Sequence, residues 1–274
     1  MRAVLLALGA LAALLTCTPA AARWGERPIV LPDKTTYTCG QYLAFAAPWS
    51  VSSPPQSAFV AGVDYADSIV VLPSVRNTDA CLDGSTVNWR WPAQTSTKGV
   101  YGYMELTFGN YDGGKPAVPV TPIQASAITT FRQELLIGPT TGTPADYNIL
   151  NEFYLTEVAG VASTKRVEIG FFWNAADTTI TYYNGGTPCS TYTDPTGRKW
   201  ACRWLPDGSA GRYIMYYSGA RASGGTLDFK AVIDSLVGQG LVDGNLYLNG
   251  AAVGVEPVRN GGSMQVQRWR ITLN

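Results

Sequence analysis

Short runs of β-branched and aromatic residues, each closed by a turn signal, dominate this sequence. Ser53-Pro54-Pro55, Asp83-Gly84, Asp112-Gly113-Gly114, Asn184-Gly185-Gly186, Asp207-Gly208 and Asn260-Gly261-Gly262 punctuate it. Gly supplies the positive φ that tight turns need, and Pro presets φ at a first corner, so each cluster reverses the chain. The runs between them are rich in Val, Ile, Tyr, Trp and Thr, and they read as strands at 68–72, 86–91, 100–108, 130–137, 147–155, 165–173, 178–183, 199–204, 212–217, 245–254 and 264–273. Many short strands joined by turns predict an all-β sandwich or jelly roll of antiparallel sheets. No segment repeats with the period of a propeller or solenoid.

One segment departs from the pattern. From Thr226 to Val237, Leu227, Ala231, Val232, Leu236 and Val237 recur at helical spacing, with Gly238 and Gly240 available to stop the helix. Thr226 is the predicted N-cap, and Asp228 falls in the first turn. A lone helix in such a chain is expected to pack on an edge or on the convex face of the sandwich. The stretch 138–146 is short and flanked by strand patterns, so it reads as a loop within one domain.

Arg2, the apolar run from Ala3 to Leu15 and the small residues Ala20-Ala21-Ala22 have the order of a secretory signal. Residues 1–22 are therefore expected to be removed, leaving a secreted domain over 23–274. The apolar run falls short of the roughly 20 residues a spanning helix needs, so no membrane association is expected after cleavage. Cleavage also removes Cys17 and leaves Cys39, Cys81, Cys189 and Cys202. An even number in an exported chain implies disulfides. Pairing within each half gives Cys39–Cys81 and Cys189–Cys202, the second closing a hairpin around Asp194-Pro195-Thr196-Gly197. No CxxC-type spacing offers a zinc site.

The chain contains no histidine, which excludes Ser-His-Asp and Cys-His catalysis, HExxH zinc sites and imidazole proton transfer. Twenty basic and twenty acidic residues cancel, and no basic cluster argues for nucleic acid as a partner. The spacing of Asp64, Asp67, Asp79 and Asp83 matches no EF-hand loop, so neither a metal nor another cofactor is expected. Any chemistry falls to carboxylates or hydroxyls.

Only seven glutamates are present, and several lie inside predicted strands rather than in turns. Along Arg166 to Trp173, alternation places Glu168, Gly170 and Phe172 on one face and Val167, Ile169, Phe171 and Trp173 on the other. The uniformly apolar face belongs in the core, so Glu168 and Phe172 point away from it. Glu152 and Tyr154 share a face in the same way, and Glu256 ends a run of small residues that would let a ligand approach. Acids and aromatics on one sheet face suit a sugar. Two carboxylates about 5–5.5 Å apart would support a retaining glycosidase mechanism.

These residues also carry a family resemblance. Val167-Glu168-Ile169-Gly170-Phe171-Phe172-Trp173 resembles the E-[ILV]-M-I-W-L nucleophile strand of glycoside hydrolase family 12, the endo-β-1,4-glucanases and xyloglucanases. Gly254-Val255-Glu256-Pro257 resembles that family's G-T-E-P-[FW] acid/base segment, 88 residues further on. Thr226 to Asp234 resembles the S-x-D-L-K-x-F-[LI]-x helix, and Asn148 to Tyr154 the strand N-V-A-Y-D-[IL]-W. Val87 to Pro92 and Val100 to Glu105 are similar to the W-x-W and Y-P-E segments.

The ordered set covers most of 37–274 and implies a concanavalin-like β-jelly roll of two antiparallel sheets with a cleft across the concave one. It implies that Glu168 is the nucleophile and Glu256 the acid/base. Glu152 takes the place of an aspartate that supports the nucleophile. Trp49, Tyr103 and Phe172 fall at cleft positions, with Tyr154 beside Glu152. The chain departs from the family at Ala46-Ala47 for two Asn, Glu152 for Asp, Gly170 for Met and Val255 for Thr, and Gly170 is expected to widen the cleft. The resemblance thus implies a monomeric, secreted endo-glucanase acting on a β-glucan without cofactor. A non-catalytic, lectin-like carbohydrate-binding protein is the alternative on the same fold. A glutamate–glutamine peptidase would have to draw on Gln124, Gln133 or Gln265, none of which lies in a recognisable motif.

Overall fold

A computed structural model describes residues 27–48, 58–73, 80–93, 99–207 and 211–274. The expected signal segment and Trp49 lie outside the described residues. In chain order the strands are β1 (Ile29–Pro32), β2 (Thr36–Cys39), β3 (Tyr42–Pro48), β4 (Ala66–Val71), β5 (Ser85–Trp91), β6 (Gly102–Gly109), β7 (Ile123–Gln124), β8 (Phe131–Thr141) and β9 (Tyr147–Thr156). They continue with β10 (Lys165–Asn174), β11 (Thr187–Thr193), β12 (Lys199–Asp207), β13 (Gly211–Tyr217), β14 (Gly224–Asp228), β15 (Tyr247–Leu248), β16 (Gly250–Pro257) and β17 (Asn260–Leu273). Two helices, α1 (Asp177–Asn184) and α2 (Phe229–Gly238), complete the chain.

The strands form a six-stranded sheet, ordered β1-β4-β5-β17-β8-β14, and an eleven-stranded sheet with the path β11-β12-β13-β10-β9-β16-β6-β3-β2. Neighbours pair antiparallel except β10 and β13, which run parallel. The two sheets pack into the expected jelly-roll sandwich. Alternation decides which side chains lie between them: Val167, Ile169, Phe171 and Trp173 of β10 are all buried in the main core. A reciprocal amide pair joins the sheets inside that core. Gln133 of β8 and Asn151 of β9 each donate to the other at 2.7 and 2.6 Å, while Trp173 and Trp269 donate their indole N–H groups to the same pair. Full pairing makes such polar groups tolerable in an apolar interior.

The second helix starts later than the sequence suggests. Thr226 belongs to β14, and Asp228 is the N-cap, its carboxylate accepting from the backbone N–H of Ala231 at 3.1 Å. Phe229, Val232, Ile233 and Leu236 bury the inner face of α2, with Phe229 in ring contact with Phe131, Phe153 and Phe171. The expected strand at 178–183 is instead α1. Its Thr and Ile residues favour strands, but no neighbouring strand is available to pair them. The helix starts beside β9: the Ala176 N–H donates to Asn148 Oδ1 at 2.8 Å, and the Ala176 carbonyl accepts from Ile180 N at 2.8 Å. Tertiary context here overrides local propensity.

Both expected disulfides form. Cys39–Cys81 ties the end of β2 to the turn before β5, with 6.3 Å between Cα atoms. Cys189–Cys202 joins opposed residues of the β11–β12 hairpin, 4.9 Å apart. The hairpin turn is organised by Asp194, whose Oδ1 accepts from the backbone N–H groups of Thr196 and Arg198.

Candidate active site

The outer face of the eleven-stranded sheet carries every strand acid the sequence singled out. On β10, Glu168, Gly170 and Phe172 stand opposite Tyr154, Glu152 and Leu150 of β9. On β16, Ala252, Gly254 and Glu256 stand opposite Glu152, Leu150 and Asn148. Of these, Asn148, Glu152, Tyr154, Glu168, Phe172 and Glu256 line one cleft of about 1170 Å³, together with Tyr103 and Glu105 from β6 and Tyr213 and Met215 from β13. Glu152, Glu168, Glu256, Tyr103, Tyr154 and Phe172 therefore meet in one place. Phe172 and Tyr103 are only 2% and 4% exposed, so they form the cleft floor rather than free stacking faces. The Tyr103 hydroxyl donates to the Leu150 carbonyl at 3.0 Å.

Two sequence-based readings of glycines are corrected. Gly254 is small because β6 crowds it: a Cβ there would stand 2.3 Å from the Met104 carbonyl oxygen and 2.8 Å from the Tyr103 ring. It makes room for a neighbouring strand and not for a ligand. Gly170 does not widen the cleft either. The space above it is filled by Tyr213, whose hydroxyl lies 2.9 Å from where a Cβ would be.

The three carboxyl groups sit in different surroundings. Glu152 is 4% exposed and accepts a hydrogen bond from the Tyr111 hydroxyl. Burial, followed by the charge of Glu168 and a hydrogen bond to it, pushes the Glu152 carboxyl well above the usual range. Glu256 is raised to about 7, chiefly by burial and further by the charge of Glu168; the Asn148 side-chain N–H, donating at 2.9 Å, works the other way. Glu168 is ion-paired to Lys165. The same ammonium lies 3.2 Å from Asp207 and 4.5 Å above the Tyr154 ring. Burial alone would lower the Lys165 pKa, but the charge of Glu168 and the hydrogen bond to it, with Asp207, raise it and keep the cation.

Sequence reasoning missed Lys165 for a geometric reason. In a regular strand Lys165 shares its face with Val167 and points into the core. The β9–β10 register shifts between Lys165 and Val167, and this irregularity turns Lys165 to the side of Glu168. Tyr111 was missed because it lies on a turn, Tyr111–Gly113, whose middle residue Asp112 has φ 47°. That left-handed conformation is uncommon outside Gly, though Asp tolerates it better than most residues. Asn148 could have been found, since it alternates in phase with Glu152 and Tyr154. Gln124, Gln133 and Gln265 do not line the cleft, and Gln133 is a core residue.

No protein-family model matches the sequence, and no curated protein matches it by sequence. Solved structures do match by shape. Endoglucanase 3 of Trichoderma harzianum, from glycoside hydrolase family 12, superposes with a TM-score of 0.71 at 16% identity, covering 90% of this chain and 98% of that one. Endoglucanase cel12A from Rhodothermus marinus gives 0.68 at 17% identity over 90% and 99% of the two chains. A family 12 xyloglucanase from Bacillus licheniformis gives 0.68 at 13% identity over 90% and 100%. The alternating strands, the concave sheet and its cleft therefore make up the fold of the family 12 glycoside hydrolases.

Proposed function

We propose that this chain is a divergent family 12 member, a secreted retaining glycosidase that cleaves internal β-1,4-glucosidic bonds of a β-glucan. The observation that carries this reading is the differentiated carboxyl cluster in the cleft: Glu168 against a cation, Glu256 raised to about 7, and Glu152 buried between Tyr111 and Glu168 and raised well above the usual range. Pairs of carboxyls driven to opposite protonation states are what acid and nucleophile roles require. The matching fold supports the same assignment, and the two disulfides fit export.

In this mechanism Glu168 attacks the anomeric carbon as a carboxylate while Glu256 gives its proton to the departing glycosidic oxygen. The result is a glycosyl ester on Glu168. Glu256, now ionised, takes a proton from water, which attacks the same carbon and releases the sugar with retained configuration. Glu152 supports the nucleophile by donating its proton to the Glu168 carboxylate, and Tyr111 fixes Glu152 in turn. Tyr103 and Phe172 shape the floor and Tyr154 lines the cleft beside them, while Trp49 is assigned a sugar-binding role on the family resemblance alone. No metal or other cofactor takes part. Residues 23–274 act as one monomeric catalytic domain after removal of 1–22.

The test is reducing-end release from mixed-linkage β-glucan, xyloglucan and carboxymethylcellulose by the purified protein. Activity in the wild type that disappears in both Glu168→Gln and Glu256→Gln is the expected result. A folded protein that binds these polymers and releases nothing would replace the reading with a carbohydrate-binding one.

A further inference from the structure

Gly170 and Tyr213 form a matched pair that the proposed mechanism has not used. Strand β13 runs parallel to β10, with Tyr213 opposite Glu168 and Met215 opposite Gly170. From that position the Tyr213 ring leans along the sheet over Gly170. Its hydroxyl and Cε2 atoms would stand 2.9 and 3.2 Å from a Cβ on residue 170, and Leu150 Cδ1 would stand 3.0 Å away. A side chain there would push the hydroxyl and the ring edge out of their present position. The residue at 170 is thus small so that a phenol can occupy the centre of the cleft.

The hydroxyl is free to act. Tyr103 donates to a backbone carbonyl and Tyr111 to Glu152, whereas Tyr213 makes no hydrogen bond among the described residues. It is nevertheless close enough to Glu152, Glu168 and Glu256 to feel all three. Burial, followed by those three charges in that order, raises its pKa well above the usual value. The phenol is therefore neutral and a donor throughout the working range.

We propose that Tyr213, seated by Gly170, is a further catalytic residue that donates a hydrogen bond to the glycosyl unit attacked by Glu168, at a sugar hydroxyl next to the anomeric carbon. This inference rests on the hydrolase reading above. Tyr213 lies opposite the nucleophile in the sheet register and reaches over the neighbouring position of the same strand, so a ring bonded to Glu168 would lie against its hydroxyl. A hydrogen bond of this kind strengthens as charge develops at the anomeric centre.

The experiment compares wild type, Tyr213→Phe, Gly170→Ala and the double variant on mixed-linkage β-glucan, with thermal unfolding as a folding control. Tyr213→Phe keeps the ring and removes only the donor. Its kcat should fall about 10- to 100-fold with KM changed less than about threefold, the signature of an interaction made in the transition state. Gly170→Ala should fall by a similar factor, because its Cβ displaces the phenol. The double variant should be no worse than Gly170→Ala alone, since both changes remove one interaction. Wild-type kcat in Tyr213→Phe, or losses that multiply in the double variant, would overturn the pairing.

Cellotetraose binding to Glu168→Gln separates the two readings. If the wild type hydrolyses nothing yet Glu168→Gln binds the tetrasaccharide, the hydrolase reading falls. Tyr213 is then judged by affinity: a drop of about tenfold in the Tyr213→Phe background supports its contact with sugar, and no drop overturns it. Absence of both hydrolysis and binding overturns both.

Discussion

Glu168 meets an ammonium ion, while Glu256 meets a neutral amide. The first shares Lys165 with Asp207; the second accepts from Asn148, whose own carbonyl oxygen is held by the Ala176 N–H at the start of α1. Both carboxyls line the same cleft and belong to the same sheet, so a difference in burial alone does not separate them. The partner does. At Glu256 a single neutral donor only partly offsets burial and the charge of Glu168. The surroundings of two like carboxyls are thus set by Lys165 and Asn148, residues outside the motifs that carry the two glutamates.

Removing either carboxyl is the most severe way to break the comparison. Glu168→Gln and Glu256→Gln should each lower kcat by about 10⁴-fold or more on a natural glucan. An activated glycoside separates the two, because a good leaving group needs no proton: Glu256→Gln should recover much of its first step on such a substrate and Glu168→Gln should not.

Lys165→Met should come next. With the cation gone, kcat/KM is expected to fall about 10- to 100-fold, because Glu168 loses the ion pair that holds it in place. Lys165→Arg should restore most of the rate. An unchanged kcat/KM in Lys165→Met would show that the ion pair closes the resting cleft without positioning Glu168.

The alkaline limb reports the other side. In the proposed mechanism Glu256 acts as the acid, so activity should decline as pH rises through about 7. Asn148→Ala removes a hydrogen bond that favours ionisation, and the limb should shift further up. The same change leaves the Ala176 N–H without its acceptor, at a cost of about 1–3 kcal/mol in stability, measurable by urea unfolding.

The smallest expected effect concerns stability and uses a buried acid that does not line the cleft. Asp67, bonded to the Trp91 indole N–H at 2.8 Å, is raised from 3.8 to about 8, first by burial. Glu256 is raised from 4.5 to about 7. Groups raised on folding bind more protons in the folded chain. Their stabilising contribution is complete below the unfolded values and is lost as pH rises through about 7 and 8. The unfolding temperature should therefore drop between mildly acidic and mildly alkaline pH, and Asp67→Asn should flatten part of that drop. A profile unchanged in Asp67→Asn would assign the whole effect to the cleft acids.

Much of this molecule was legible in its residues because strands have a period of two. Alternation alone separated Val167, Ile169, Phe171 and Trp173 from Glu168 and Phe172, and the structure keeps that division. Turn residues bounded most strands, and proximity in the chain was enough to pair the cysteines. The strand expected at 178–183 failed because β-branched residues form a ladder only where a partner strand exists, and partners are not written locally. The lateness of α2 has the same origin: Thr226 is claimed by pairing with Glu134 of β8 before the helix can begin.

The all-β character, the face on which each strand acid lies and the cysteine pairs follow from the residues alone, because they depend on neighbours two to a few dozen residues away. Tertiary structure decided what surrounds each acid. Lys165 reaches Glu168 only through an irregularity in β10, Tyr111 reaches Glu152 from a strained turn, and Tyr213 arrives on a strand that pairs parallel to β10 from some forty residues on. Gly170 carries the lesson most plainly. Its missing side chain reads as a gap along the strand, and only the packed sheet shows that a phenol fills it. Local periodicity fixes direction, whereas the field at a carboxyl is a sum over every group the fold brings near it.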